Sequence, residues 1–453
     1  MPASCNLSAK ARGNRKKMCK FVPENDKTMR VLIVNTSEMK GGAAIAANRL
    51  TVALINNGVK DKMLVMHKDS ASIYVASCGD GLRGRWHFLR ERLGIFLANR
   101  LSRRNLFAVD TASSGTDITR TREFQEADVI HLHWVNQGFL SLGSLRKILQ
   151  SGKPVVWTMH DMWPATAVCH LTLGCEKFKT ACSQCPYMAP SFFDVAARVW
   201  KKKRALLEGS RIAFVTCSQW LQDEARSSRL LEGLRVESIP NAIDEHVFCK
   251  ANRKEARRRL GLPQGKRLLL FAAQRATNGN KGIAYLAEAC RSLVKKSPDV
   301  AADIELVVMG GQSAAVESEF GLPVHSLGYV SDTRTIVDAY NAADTFVLPS
   351  LSENLPNTIM EAMACGVPCV GFRVGGIPEM IDHRQNGYVA EYKSADDLMN
   401  GIRWVLSEAD AEALSSAAVH KVRSHYSQQS VAKKYLDIYN NVAKPKPLIR
   451  RND

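Results

Sequence analysis

The chain has 453 residues, 45% of them hydrophobic, and carries 62 Lys and Arg against 44 Asp and Glu for a formal net charge of +18. That length exceeds one ordinary core and implies two or three domains, while the absence of any run of eighteen apolar residues excludes a membrane-spanning helix. The charge surplus points to an anionic partner, and because no zinc-finger spacing, aromatic-rich RNA motif or helix-turn-helix accompanies it, a membrane surface or phosphate-bearing substrate is expected rather than nucleic acid.

Residues 1–28 are basic without the apolar core of a signal peptide, so a disordered lead-in and a cytoplasmic product are expected. Met29-Arg30 followed by "VLIVN" then opens a first strand. Strand-like runs at Arg30–Asn35, Val129–His133, Val155–His160 and Ile212–Ser218 alternate with amphipathic segments. A second series follows at Arg267–Ala273, Glu305–Met309, Asp344–Leu348 and Pro368–Phe372. Such alternation predicts parallel α/β architecture in two doubly wound units, 29–240 and 241–425. Their join falls in "SIPNAIDEHVF" (Ser238–Phe248), where Pro, Asn and Asp cluster. A C-terminal helix, 426–443, is expected to pack back on the first unit, and 444–453 to be a loose tail.

After the first strand, "TSEMKGGAAIAANRL" places Gly41 and Gly42 before a helix whose N-terminal amides suit an anion. Tight turns need glycines too, and the absence of GxGxxG argues against a dinucleotide. In "WHFLRERLGIFLANRLSRR" (86–104) the apolar residues Trp86, Leu89, Leu93, Phe96, Leu97 and Leu101 recur at helical spacing with arginines between them. An interfacial helix on an anionic membrane has this pattern, and so does a core helix with a solvated basic face. "WTMHDMWP" sets His160 at the end of an apolar strand, with Asp161 next to it. The run "CHLTLGCEKFKTACSQC" then gathers Cys169, Cys175, Cys182 and Cys185. The last pair has the spacing of a zinc knuckle and the first is wider, so structural zinc, reduced buried thiols and a redox pair are all open readings.

The second unit supplies "FAAQRATNGNKG", "LGYVSDTRTIVDAYNAADTFVLPS", "SENLPNTIMEAMACG" and "VGGIPEMIDHRQNGYVAEY". In the third of these, Pro356 is expected as the first residue of a helix that Gly366 ends. Glu353 then lies in the loop leading in and Glu361 about a turn and a half inside, both able to face one ligand. Ordinary surface acids are the bland alternative.

The order and spacing of these stretches resemble the retaining nucleotide-sugar glycosyltransferases of family 4, of the bacterial surface-polysaccharide type, from Met29 to about Ala443. The resemblance implies the GT-B fold: two Rossmann-like doubly wound domains facing a central cleft. It also implies that Glu361 accepts hydrogen bonds from the ribose and that Glu353 faces the donor sugar. Asn354 and Leu355 would offer amides to that sugar, and Lys281 would neutralise the diphosphate. Arg275 is the expected partner of Lys281, with Gln274 the alternative occupant of its place, and His160 would stand near the reacting centre. Gly41 and Gly42 complete the donor site.

No Asp-any-Asp triplet occurs, which fits metal-independent transfer with no cofactor required for catalysis. The expected activity is transfer of a hexose-type sugar from a nucleoside diphosphate to a lipid-linked glycan acceptor in cell-surface polysaccharide synthesis. The expected place is the inner face of the cytoplasmic membrane, held peripherally by segment 86–104. A GT-B epimerase or phosphorylase, and a basic nucleic-acid-binding protein, are the alternatives.

Overall fold

The computed structural model describes residues 29–78, 81–190 and 193–444, and the expectations for 1–28 and for the tail from 445 lie outside the described residues. Thirteen strands form two sheets. The first holds β1 (Arg30–Ser37), β2 (Lys60–His67), β3 (Val75–Ser77), β4 (Val129–Leu132), β5 (Val155–Met159), β6 (Ile212–Thr216) and β7 (Arg235–Ser238), in the order 3-2-1-4-5-6-7. The second holds β8 (Arg267–Arg275), β9 (Ile304–Gly311), β10 (Val324–Gly328), β11 (Thr345–Leu348), β12 (Cys369–Phe372) and β13 (Gly387–Ala390), in the order 10-9-8-11-12-13.

Every pairing is parallel. Parallel sheets are covered on both faces, which is why the central strands read as unbroken apolar runs. Each sheet accordingly has a hydrophobic cluster on either side.

All eight strands expected from the sequence are present, with ends shifted by a residue or two. Five more, β2, β3, β7, β10 and β13, were not anticipated. Four of these are outer or edge strands of three to five residues, and β2 begins with the charged "KDK". The helix Gln428–Ala443 returns to the first sheet, where Tyr435 and Tyr439 join the apolar cluster beneath the helix Gly42–Asn56. Its two phenols are tied to that sheet, Tyr439 to His131 Nδ1 at 2.7 Å and Tyr435 to Thr158 Oγ1 at 2.9 Å.

In each sheet the strand order reverses once, between β1 and β4 and between β8 and β11. Chain segments leaving the C-terminal ends of strands diverge at such a switch point and leave a crevice for a ligand. The two crevices determine where the site lies.

Candidate active site

A cleft of about 380 Å³ runs between the two crevices, lined by Gly42, His160 and Asp161 from the first unit and Gln274, Lys281 and Glu353 from the second. Lys281 ends a short turn, Gly279–Lys281, that is capped by Asn278. The following Gly282 has φ +70°, and a Cβ there would overlap the Pro349 carbonyl oxygen. Only glycine lets the loop after β8 lie this close to the end of β11. Lys281 Nζ consequently reaches Glu353, forming an ion pair, and Ser350 Oγ donates to the same carboxylate at 2.9 Å.

The "VGG" turn holds Glu353 from the other side. Gly375, at φ +55°, passes so close to the Glu353 carbonyl that a Cβ would overlap it, and Gly376 N donates to Asn354 O at 2.8 Å. Asn354 bridges the halves: its Oδ1 accepts from Ser218 Oγ at 2.6 Å and its Nδ2 donates to His160 O at 3.3 Å. Leu355 is buried beside it and lines the cleft.

Pro356 is the N-cap rather than the first helical residue. Its ψ of 118° is extended, and the helix runs Asn357–Ala364, with Gly366 left-handed beyond its end. Glu361 therefore stands on the helix, 8% exposed, while Glu353 is in the loop. The two acids have different partners. Glu361 accepts from Arg49 Nη2 at 2.6 Å and from Tyr340 Oη at 2.8 Å, so both of its oxygens are engaged in the ligand-free molecule. Arg49 comes from the first unit, and its Nη1 is buried without a partner.

One expectation needs correction and one is narrowed. Gln274, not Arg275, lines the cleft. The pairing of β8 with β9 shifts register between Ala272 and Arg275, so simple alternation fails at the point where the spacing was counted. His160 lines the cleft as expected; of the two roles open to such a histidine, hydrogen-bonding a sugar hydroxyl or lending partial positive charge, its surroundings disfavour the second. Its Nε2 lies 2.9 Å from His133 Nδ1 and its Nδ1 3.5 Å from Cys217 Sγ. Burial lowers its pKa to about 4 against the opposing pull of Asp161, which leaves the ring neutral at neutral pH.

Asp161 faces inward: it accepts from Trp134 Nε1 at 2.8 Å, from the Trp163 amide at 2.9 Å and from His170 Nδ1 at 2.7 Å. Burial disfavours its charge, but His170 together with the Trp163 amide and the Trp134 indole outweighs burial, so its pKa is lowered from the ordinary value.

The helix Gly42–Asn56 opens on the cleft, with Gly41 at φ +94° as its N-cap. No side chain caps it and no acid lies in its first turn. The same holds for Ile283–Lys296, which starts beside Lys281, and for Asn357–Ala364, whose Asn357 and Thr358 line the cleft. Three uncapped N-termini and a lysine make a strong setting for a polyanion.

The four clustered cysteines lie outside the cleft, around a separate small cavity. Among the described residues, no three His, Cys, Asp or Glu side chains converge to hold a metal ion. Several partners were not legible in the sequence. His133 and Ser218 carry no local motif, whereas Arg49, Tyr340 and the Gly375–Gly376 pair lie in quoted stretches without any signal that singles them out.

Residues 40–247 match the domain described as Glycosyltransferase Family 4, and 266–408 match Glycosyl transferases group 1. A D-inositol 3-phosphate glycosyltransferase of Nocardiopsis dassonvillei is 28% identical over 50% of this chain and 56% of its own length, so the match spans about half of that relative. The putative colanic acid biosynthesis glycosyl transferase WcaC of Escherichia coli is 26% identical over 69% of this chain and 76% of its own. Among solved structures, Anabaena HepE in complex with UDP-glucose superposes with a TM-score of 0.58 at 17% identity, covering 91% of this chain and all of that one. The two facing Rossmann-like units are the GT-B architecture. The two halves of the chain match glycosyltransferase domains, one of them that of family 4, and the chain is a transferase.

Proposed function

We propose that the protein moves a hexose-type sugar, with retention of configuration, from a nucleoside diphosphate to a lipid-linked glycan acceptor at an anionic membrane surface. The observation that carries the donor half is the Lys281–Glu353 pair at the facing switch points, surrounded by three uncapped helix N-termini. In this reading, the diphosphate takes Lys281 and the free amides, and its charge is neutralised as the sugar bond loosens. Lys281 thereby leaves Glu353, whose carboxylate is then free to hold sugar hydroxyls and favour positive charge at the anomeric carbon. Glu361 holds the ribose, exchanging Arg49 or Tyr340 for hydroxyl donors. Neutral His160 positions a sugar hydroxyl, and Gln274 takes the cleft position expected of Arg275. The bound UDP-glucose of HepE supports the donor class, and WcaC's putative role in colanic acid biosynthesis supports polysaccharide synthesis.

Membrane attachment rests on the helix Gly81–Ala98, which is turned inside out. Its buried side holds Glu91 and Arg92, and Arg92 bonds Asp110 at 3.0 Å. Its exposed side is a stripe of Leu82, Trp86, Leu89, Leu93 and Leu97, each at least 56% exposed and spaced three or four residues apart. Exposed Arg83, Arg85, Arg90, Arg100, Arg103 and Arg104 flank the stripe and continue beyond it. An apolar stripe among arginines matches the interface of an anionic bilayer. No helix among the described residues is long and apolar enough to cross a membrane.

Release of nucleoside diphosphate from a panel of nucleotide sugars tests the transfer. Cosedimentation with phosphatidylglycerol vesicles tests the surface. Leu89→Asp with Leu93→Asp should abolish sedimentation and leave water-soluble donor turnover intact. Equal binding to neutral phosphatidylcholine vesicles, or full binding by the double variant, would remove the membrane from the proposal.

A further inference from the structure

The sequence between Cys169 and Cys185 holds almost no regular structure and is largely exposed or half-buried. Its single element is the turn Lys177–Lys179, and its one fully buried large side chain is Phe178. A loop of this length in a compact domain needs something beyond backbone pairing to hold it. The four cysteines differ from the chain's other buried thiols in this respect. Cys290 and Cys369 are each packed in an apolar core and Cys217 sits against His160, whereas Cys169, Cys175, Cys182 and Cys185 surround one small cavity of about 20 Å³.

The turns around the cavity present these thiols. Leu173 and Gly174, at φ 45° and 87°, precede Cys175, and Gln184, at φ 45°, precedes Cys185. Left-handed non-glycine residues occur where surrounding structure over-determines them.

Charge supplies an independent observation. Lys203 is 3% exposed, and its ammonium donates to the carbonyls of Trp163 at 2.6 Å and Thr166 at 3.0 Å. Among the described residues no carboxylate pairs with it; its Nζ lies 3.3 Å from the centre of the Trp163 ring, and burial lowers its pKa to about 7. Lys177, which lines the cavity, donates to the carbonyls of Ser183 at 3.1 Å and Gln184 at 2.8 Å, the two residues between Cys182 and Cys185. Lys177 thus borders the cavity of four sulfurs, and Lys203 lies behind its Thr166 wall.

We propose that Cys169, Cys175, Cys182 and Cys185 form a tetrathiolate site for one structural zinc ion. The thiols turn inward from their present orientations, and four S–H protons are released to solvent as four Zn–S bonds form. The resulting net charge of about −2 is balanced by Lys203 and Lys177. Leu171, two residues from Cys169, lines the active cleft, so the ion fixes one wall of the cleft without touching the reaction.

The test is elemental analysis of the full chain, expressed in zinc-supplied medium and purified without chelator. About one zinc per chain is expected, falling below about 0.2 in Cys175→Ser and Cys182→Ser and unchanged in the remote Cys249→Ser. Cys185→His should keep most of the metal, because imidazole also binds zinc, which separates loss of a ligand from loss of folding. Replacement by cobalt should give tetrahedral thiolate absorption bands, and chelation should expose four further thiols to a disulfide reagent. The proposal is overturned by metal-free protein with all thiols reactive from the start. A Cys182–Cys185 disulfide in reductant-free preparations, or zinc retained in Cys182→Ser, would overturn it equally.

Discussion

Three of the helices that begin at the cleft differ at their first turn from helices that begin elsewhere, and also from Gln219–Arg226, which opens on the cleft but is capped by Ser218. Those starting after Asp332, Ser394 and Asp410 have a side-chain oxygen on their first amides. Gly42–Asn56, Ile283–Lys296 and Asn357–Ala364 have none and carry no acid in the first turn. A missing cap forgoes about 1 kcal/mol of helix stability. Three omissions at one place leave the positive helix ends and their amides to a ligand, while the remote helices use the same groups for their own stability.

The largest effects should come from the ion pair between these helix ends. Glu353→Gln should lower turnover by about 10²–10³-fold and change nucleotide affinity little, because its work is done as the sugar leaves. Lys281→Ala should weaken both, as a cation is lost from bound donor and leaving group alike. Next comes Glu361→Gln, expected to weaken nucleotide binding by about tenfold, one charged hydrogen bond's worth, at nearly constant kcat. Steady-state kinetics and calorimetric nucleotide titration separate these outcomes.

The comparison of helix ends can be broken directly. Ala43→Asp places a carboxylate in the bare first turn of Gly42–Asn56 and should stabilise that helix by about 0.5 kcal/mol while weakening donor binding. Asp332→Ala, at a capped helix, should cost about 1 kcal/mol in thermal unfolding and leave donor binding alone. If both variants moved affinity equally, the bare ends would have no special role.

The smallest effect concerns the inverted helix. Burial, then the neighbouring Asp110 carboxylate, pushes the Glu91 carboxyl far above its ordinary range, so it is protonated in the folded protein at neutral pH. The unfolded chain releases that proton near the ordinary glutamate value. Stability from this group is therefore fully present below that value and declines as pH rises through the raised one. Thermal melts across alkaline pH should show a shallower decline in Glu91→Gln than in the parent chain.

The sequence revealed what is local. Alternating apolar and amphipathic segments indicate two parallel sheets, and Lys281, Glu353 and Glu361 sit in the short stretches that carry the family resemblance. Contacts made across the chain were not legible. Arg49 meets Glu361 over 312 residues, and Ser218 meets Asn354 over 136. The choice between Gln274 and Arg275 turned on a register shift set by the neighbouring strand. The segment 86–104 read equally as core or interface, because the deciding fact is that Glu91 and Arg92 face Asp110 indoors.

The central claim is that the cleft uses Glu353 to transfer sugar from a nucleoside diphosphate. Its most direct test is nucleoside diphosphate release from a panel of nucleotide sugars, measured for the parent chain and Glu353→Gln together with calorimetric binding of the nucleotide. The account predicts at least one donor turned over by the parent chain and a loss of roughly a hundredfold or more in a variant that still binds the nucleotide. Undiminished turnover by Glu353→Gln, or no nucleotide binding by the parent chain, would contradict it.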